Sequence, residues 1–150
     1  MIVRIATLDD LDSILEITKE IREEGLEKYS PLNYDDVTLR ETGTFLINQG
    51  IALVGENSIG VVGFILGSLE VSVMDKKQLL GAERLWCVKK EYRGKKVGLM
   101  LLRKFEEICK FKGANLIFVS SIVSIDSDKM DGMYKKLGFT HIENHYCRKC

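Results

Sequence analysis

Much of what would mark a specialised chain is missing from these 150 residues. Net charge is absent, with 22 Lys plus Arg set against 22 Asp plus Glu. Histone-like and nucleic-acid-coating proteins are strongly basic, so that class is excluded. No apolar run approaches the roughly 18 residues of a membrane span. The longest, Val61 to Leu66, is interrupted by Gly63. The opening Met1-Ile2-Val3-Arg4-Ile5 lacks the charged head, apolar stretch and small-residue cleavage site of a secretory signal, so a cytoplasmic protein is expected. In that reducing compartment the four cysteines carry no disulfide framework. Cys87 and Cys109 lie in apolar runs and are expected as buried small hydrophobes. Proline occurs once, at Pro31, and no linker, repeat or low-complexity segment divides the chain. A single domain over 1–150 is expected.

What is present is a core-forming composition, 45% apolar, and a hidden charge polarity. Residues 1–50 carry 5 basic and 11 acidic side chains, whereas residues 89–112 carry 9 basic and 3 acidic. One surface suits a cation and another an anion.

Apolar periodicity predicts alternating strands and helices. Ile2 to Ala6 reads as a strand, and Thr7 with Asp10 as a capping box. Leu11, Ile14, Leu15, Thr18 and Ile21 form a helical stripe that Gly25 ends. Pro31 and Asn33 lead into a second helix from Asp35 to Asn48, although Gly43 weakens it. Ile51 to Gly55 and Ile59 to Leu69 form a hairpin around Glu56-Asn57-Ser58. Val71 to Gly81 has no clear pattern, and Glu83 to Lys89 is a third long strand. An amphipathic helix from Val97 to Lys112 follows, ended by Gly113, then a strand from Leu116 to Ser120. Ser127 caps a short helix to Leu137, Gly138 ends it, and Phe139 onward returns to strand. The expected fold class is α/β, a mixed sheet with helices on its faces.

The chemistry concentrates in Leu85-Trp86-Cys87-Val88-Lys89-Lys90-Glu91-Tyr92-Arg93-Gly94-Lys95-Lys96-Val97-Gly98. A strand, a turn with glycine and lysine, and a helix start together suit an anionic phosphate. Free N–H groups point outward there, and the helix dipole adds positive potential. The P-loop pattern is absent, and Gly94 with Gly98 does not make a dinucleotide fingerprint.

This turn resembles the pyrophosphate turn of the GNAT superfamily of acetyl-CoA-dependent N-acetyltransferases, usually Arg/Gln-x-x-Gly-x-Gly/Ala. Met133-Tyr134-Lys135-Lys136-Leu137-Gly138-Phe139 is similar to that family's second signature. Val3-Arg4-Ile5-Ala6-Thr7 with Asp9-Asp10 matches its first strand and helix. The C-terminal Gly138 to Tyr146 looks like a compact subgroup that includes phage and prophage members. Lys96 stands where the family usually has glycine, Ser127 where it has asparagine, and Asp131 where an apolar residue is common.

The resemblance implies a mostly antiparallel central sheet with helices on both faces. It also implies transfer of the acetyl group of acetyl-CoA, a co-substrate, to a primary amine by direct attack in a ternary complex. Arg93, Gly94, Lys95, Lys96, Val97 and Gly98 would hold the pyrophosphate, and the backbone of Trp86, Cys87 and Val88 the pantetheine arm. Tyr134 is the expected general acid, since a phenol of pKa ~10 stays protonated at neutral pH. Glu83 is the candidate base, with Glu70 in reserve. A Cys87 thiolate carrying the acetyl group is the covalent alternative.

No metal is expected, although His141, His145 and Cys147 would share one face of a terminal strand, and Cys150 completes a Cys-x-x-Cys. Competing readings are a CoA-binding or partner-binding module without turnover, or a metal-dependent interaction module built on this C-terminal set. The acidic first third, with Glu20, Glu23, Glu24, Glu27, Asp35 and Asp36, suggests a cationic acceptor, a small molecule or a protein lysine. Nucleic acid and membrane are not expected as partners, and a homodimer is left open.

Overall fold

The computed structural model describes residues 1–26, 33–148 and 150. Five strands form one sheet in chain order: β1 (Ile2–Ile5), β2 (Ile51–Asn57), β3 (Gly60–Val71), β4 (Leu79–Val88) and β5 (Leu116–Phe118). The first three pairings are antiparallel and only β4 with β5 is parallel. Among the described residues four α-helices accompany them: α1 (Leu11–Ile21), α2 (Asp36–Gln49), α3 (Val97–Phe111) and α4 (Ser127–Lys136). The fold is thus mixed α/β around a mostly antiparallel sheet, as expected. Among the described residues no helix is long and apolar enough to cross a membrane.

Strand alternation divides the core in two. On one face Ala52, Val54, Phe64, Leu66 and Cys87 meet Ile14, Ile17 and Ile21 of α1 and Leu46 of α2. On the other, Ile51, Leu53, Val62 and Ile65 meet Val97, Leu101, Leu102, Phe105 and Cys109 of the α3 segment. Each fully buried side chain of this size contributes about 1.5–3 kcal/mol. Gly43, which weakened the prediction of α2, lets that helix approach α1, because a Cβ there would sit 2.8 Å from the Leu11 side chain.

The start of α1 follows the capping pattern: the Asp10 carboxylate accepts from the Thr7 N–H at 2.8 Å. Arg4 grips that carboxylate with both terminal nitrogens, at 2.7 and 2.8 Å, and Glu56 through Nε at 2.9 Å. Burial of Ile17 rather than Leu15 shifts the α1 stripe, and the helix does not stop at Gly25. A π-helical turn over Arg22–Leu26 takes Gly25 inside, against Ser124. Pro31, Glu27 and Tyr29 lie outside the described residues.

The first hairpin turns through Ser58 and Ile59, since Asn57 already pairs with Gly60. β4 begins at Leu79, inside the stretch without a clear pattern, and ends at Val88. α3 ends at Phe111 and β5 at Phe118, so Ser120 lies beyond the strand. Asp126, at φ 50°, caps α4, and Ser127 is its first residue. The strand expected from Phe139 is not formed. Residues 141–148 are exposed and irregular, and Ile142 and Tyr146, its large apolar side chains, reach solvent. A strand needs burial and a paired edge to offset its conformational entropy, and this stretch has neither.

Candidate active site

The parallel pairing of β4 and β5 covers only Leu80–Ala82 against Leu116–Phe118. From Glu83 to Val88, β4 pairs with β3 on one side while no described strand runs along the other. A bulge at Leu66/Gly67 opposes Leu85 to Leu66 and Glu83 to Gly67, leaving Arg84 as the extra residue and bending β4. The result is a split sheet.

Register decides which backbone groups line the split. The Lys89 N–H donates to Val62 O at 3.0 Å, so the alternation of an antiparallel ladder turns Trp86 and Val88 away from β3. Val88 O accepts from Arg93 Nε at 3.0 Å, which leaves the N–H groups of both residues and the Trp86 carbonyl along the open edge. Cys87 points its backbone at β3 and its side chain into the core, so its backbone is the one of the three that does not serve this edge. Burial pushes its thiol up to about 12, which disfavours the thiolate that a covalent intermediate requires.

The turn after β4 folds as a 3₁₀ helix over Lys90–Tyr92, with Gly94 at φ 75° and Lys96 at φ 69° just before α3. Lys96 therefore takes the left-handed conformation that glycine adopts without strain, and the turn is kept despite the departure in sequence. Val97 is fully buried and anchors α3, whose first N–H groups lack intrahelical partners and open at the turn. Gly98 lies against Trp86: a Cβ there would be 3.4 Å from the indole. The Trp86 indole N–H is buried and finds no acceptor among the described residues. The open strand edge, the helix start and the orphaned indole each present N–H donors without acceptors, which amide and phosphate oxygens would satisfy.

Arg93 is not free to reach an anion. Its terminal nitrogens grip Glu24 at 2.8 and 2.6 Å. Arg93 lowers the Glu24 carboxyl below the usual range, and Glu24 raises the arginine in turn. Lys90 lies 4.0 Å from Glu24 and Lys89 3.9 Å from Glu20. Two carboxylates expected to attract a cationic acceptor are thus spent on the basic turn.

The two candidate acid–base residues meet at a third that sequence reasoning missed. Glu83 accepts from the Ser120 N–H at 3.1 Å and from its hydroxyl at 2.8 Å. The Tyr134 hydroxyl donates to the Ser120 carbonyl at 2.6 Å. Burial raises the Glu83 carboxyl, and these two donors oppose it. Burial, then the Glu83 charge, holds the Tyr134 phenol above its ordinary range. Its ring packs between Trp86 and Phe139, with centroids 6.3 and 5.5 Å away. Glu70 is engaged elsewhere, by Arg84 and Ser68. The one signal for Ser120 was its place just past a parallel strand, where α/β sheets bind ligands.

The C-terminal set fares differently. Without a strand, His141, His145 and Cys147 share no face; the His141 ring lies 3.1 Å from Asn144 and His145 3.4 Å from Glu143. Among the described residues no three His, Cys, Asp or Glu side chains gather as a metal site.

A mixed sheet split between β4 and β5, with a helix start at the mouth of the split, defines the class of α/β protein to which the chain belongs. The chain belongs to the acetyltransferase (GNAT) family, whose model matches residues 11–139, and that membership supports acyltransferase activity. It is similar in fold to an acetyltransferase from Trypanosoma brucei, at TM-score 0.73 and 21% identity, covering 99% of both chains. A mutant Bacillus halodurans protein matches at TM-score 0.81 and 15% identity, covering 100% of this chain and 99% of that one. An aminoglycoside acetyltransferase from an uncultured soil metagenomic sample matches at TM-score 0.72 and 18% identity, over 99% and 97%. No curated relative matches the chain in sequence.

Proposed function

We propose that this protein transfers the acetyl group of acetyl-CoA to a primary amine within a ternary complex. The observation that carries this reading is the meeting of Glu83 and Tyr134 at Ser120, beside the open edge of β4 and the start of α3. Acetyl-CoA supplies an activated thioester. The N–H groups of Trp86 and Val88 and the Trp86 carbonyl hold its extended arm along the edge. The N–H groups of Gly94, Lys96, Val97 and Gly98 and the ammonium groups of Lys95 and Lys96 receive its phosphates, while the Lys95 N–H stays on the Tyr92 carbonyl at 3.2 Å.

Glu83 removes a proton from the acceptor ammonium, directly or through water, which frees the nitrogen lone pair. The amine attacks the acetyl carbon, the C–S bond breaks, and its electron pair leaves on sulfur. Tyr134 turns its hydroxyl from the Ser120 carbonyl to the sulfur, protonates it, and regains the proton that the new amide nitrogen sheds. Burial makes Glu83 a stronger base than an exposed carboxylate and Tyr134 a weaker acid than a free phenol, so the Tyr134 proton moves only as negative charge develops on the departing sulfur.

The acceptor is a primary amine drawn from polyamines, aminoglycosides, amino acids, peptide N-termini and protein lysines, and one structural neighbour is named as an aminoglycoside acetyltransferase. A panel of these amines, followed by release of free thiol from acetyl-CoA, tests the reading. Amine-dependent thiol release is expected. Stabilisation by acetyl-CoA without release for any amine would favour a CoA-binding module instead.

A further inference from the structure

We propose that Ser120 is a positioning residue: its hydroxyl and N–H fix the carboxylate of Glu83 while its carbonyl fixes the phenol of Tyr134, so that one residue past β5 sets acid and base at a common point. The inference rests on the acetyl-transfer reading above and gives Ser120, there only the point where acid and base meet, a role of its own. Three hydrogen bonds, at 2.6 to 3.1 Å, converge on one residue from two elements, β4 and α4. Neither element touches the other's functional atom in these contacts. Without the bridge each side chain has rotamers to explore, and acid–base chemistry loses efficiency steeply when its groups drift.

The serine fits this role and a hydrophobic residue would not. Ser120 is exposed, so its side chain is not needed to fill the core. Its hydroxyl at 2.8 Å is the shorter of the two donors to Glu83. A carboxylate that is half-buried and carries a charge needs such donors, since its desolvation is otherwise uncompensated. The other ionisable groups around Glu83 cannot substitute. The Cys87 thiol, further along β4, and the Tyr134 phenol, on α4, are both raised, by burial first and the Glu83 charge second, and are neutral. Arg84 is turned to Glu70 and Ser68 of β3, and the β3 partner Gly67 has no side chain. Cys109 of α3 lies against Gly81, two residues before Glu83, and burial pushes it up to about 11. Among these groups Ser120 alone donates to the carboxylate.

The test reads Glu83 directly, by the NMR titration of its carbon-13-labelled carboxyl, and then the pH profile of kcat/KM. Ser120→Ala removes the hydroxyl donor and keeps the N–H. Its Glu83 titration should move up by about one pH unit, the scale of one hydrogen bond to a charged group. The acid limb of kcat/KM should move with it, while the acetyl-CoA Kd stays as in wild type. Ser120→Thr, which restores a hydroxyl, should return both towards wild type. An unchanged Glu83 titration in folded Ser120→Ala overturns the positioning role, whatever the activity. A shifted titration with no acetyl transfer to any amine in the wild type would keep the bridge and overturn the proposed reaction. A purely structural serine would lower kcat without moving either titration.

Discussion

Tyr134→Phe removes the hydroxyl, with its bond to the Ser120 carbonyl, and keeps the ring that packs between Trp86 and Phe139, so it tests the acid without opening the core. Turnover should fall by about 10²- to 10⁴-fold, the usual contribution of general acid catalysis, with acetyl-CoA affinity nearly intact. Steady-state kinetics beside a binding titration checks this, and wild-type turnover would return Tyr134 to a packing role. Because the phenol is held above its ordinary range, it stays protonated through the alkaline pH where an exposed tyrosine would ionise. Lys96 offers a second residue-scale test. A left-handed non-glycine residue costs about 1–2 kcal/mol, of which glycine's greater unfolded-chain entropy takes back about 0.5–1. Lys96→Gly should therefore stabilise the protein by about 0.5–1 kcal/mol, seen as a rise of a few degrees in Tm. A lower Tm would mean that the lysine side chain contributes more than its backbone strain costs.

At the scale of elements, the joint between β1 and α1 carries a pH dependence. Arg4 holds the Asp10 carboxyl below its ordinary value of 3.8, through the side-chain hydrogen bonds first and the charge interaction after. A carboxyl lowered on folding binds fewer protons in the native state, so its stabilisation is full above 3.8 and is lost as pH falls through the lowered value. Asp10→Asn should thus be less stable than wild type near neutrality and lose less on acidification. Denaturant melts from about pH 6 to about pH 2 check it, and parallel losses in the two proteins would remove Asp10 from the acid transition. The order of elements up to α4 was readable because α1 and α3 have strong helical stripes and β2 and β3 long β-rich runs. What escaped was decided by partners remote in sequence. The first residues of β4, Leu79 to Ala82, are held by β3 and β5 and show no pattern of their own. Phe139 to Tyr146 has strand-like alternation but pairs with no described strand. Tyr134 and the turn were singled out by their motifs and Glu83 by its place on the strand, whereas Ser120 belongs to no motif and is separated from its partners by 37 and 14 residues.

Across the whole molecule, the charge polarity of the chain turns out to be largely self-satisfied. The acidic end of α1 folds onto the basic turn, so Glu24 pairs with Arg93 and approaches Lys90, and Glu20 approaches Lys89. This ties α1 and the π-helical turn Arg22–Leu26 to the residues proposed to hold acetyl-CoA. The bidentate pair, together with the Arg93 Nε bond to Val88 O, braces the turn against the end of β4. Both side chains are largely shielded, at 22% and 28% exposure, so added salt screens the pair less than it would a surface pair. Glu24→Gln removes the charge and half of the fork at little change in shape. The loosened turn should then raise the acetyl-CoA Kd by about three- to thirtyfold, the loss of roughly one charge-assisted hydrogen bond, while acceptor KM changes little. Glu23→Gln is the control, since that exposed carboxylate lies 4.0 Å from Lys19 and away from the turn, and it should leave both constants unchanged. Calorimetric titration with acetyl-CoA and acceptor kinetics on the two variants decide the matter. A Glu24→Gln protein with wild-type acetyl-CoA affinity and a raised KM for cationic amines would reverse the assignment and restore the acidic segment to the acceptor.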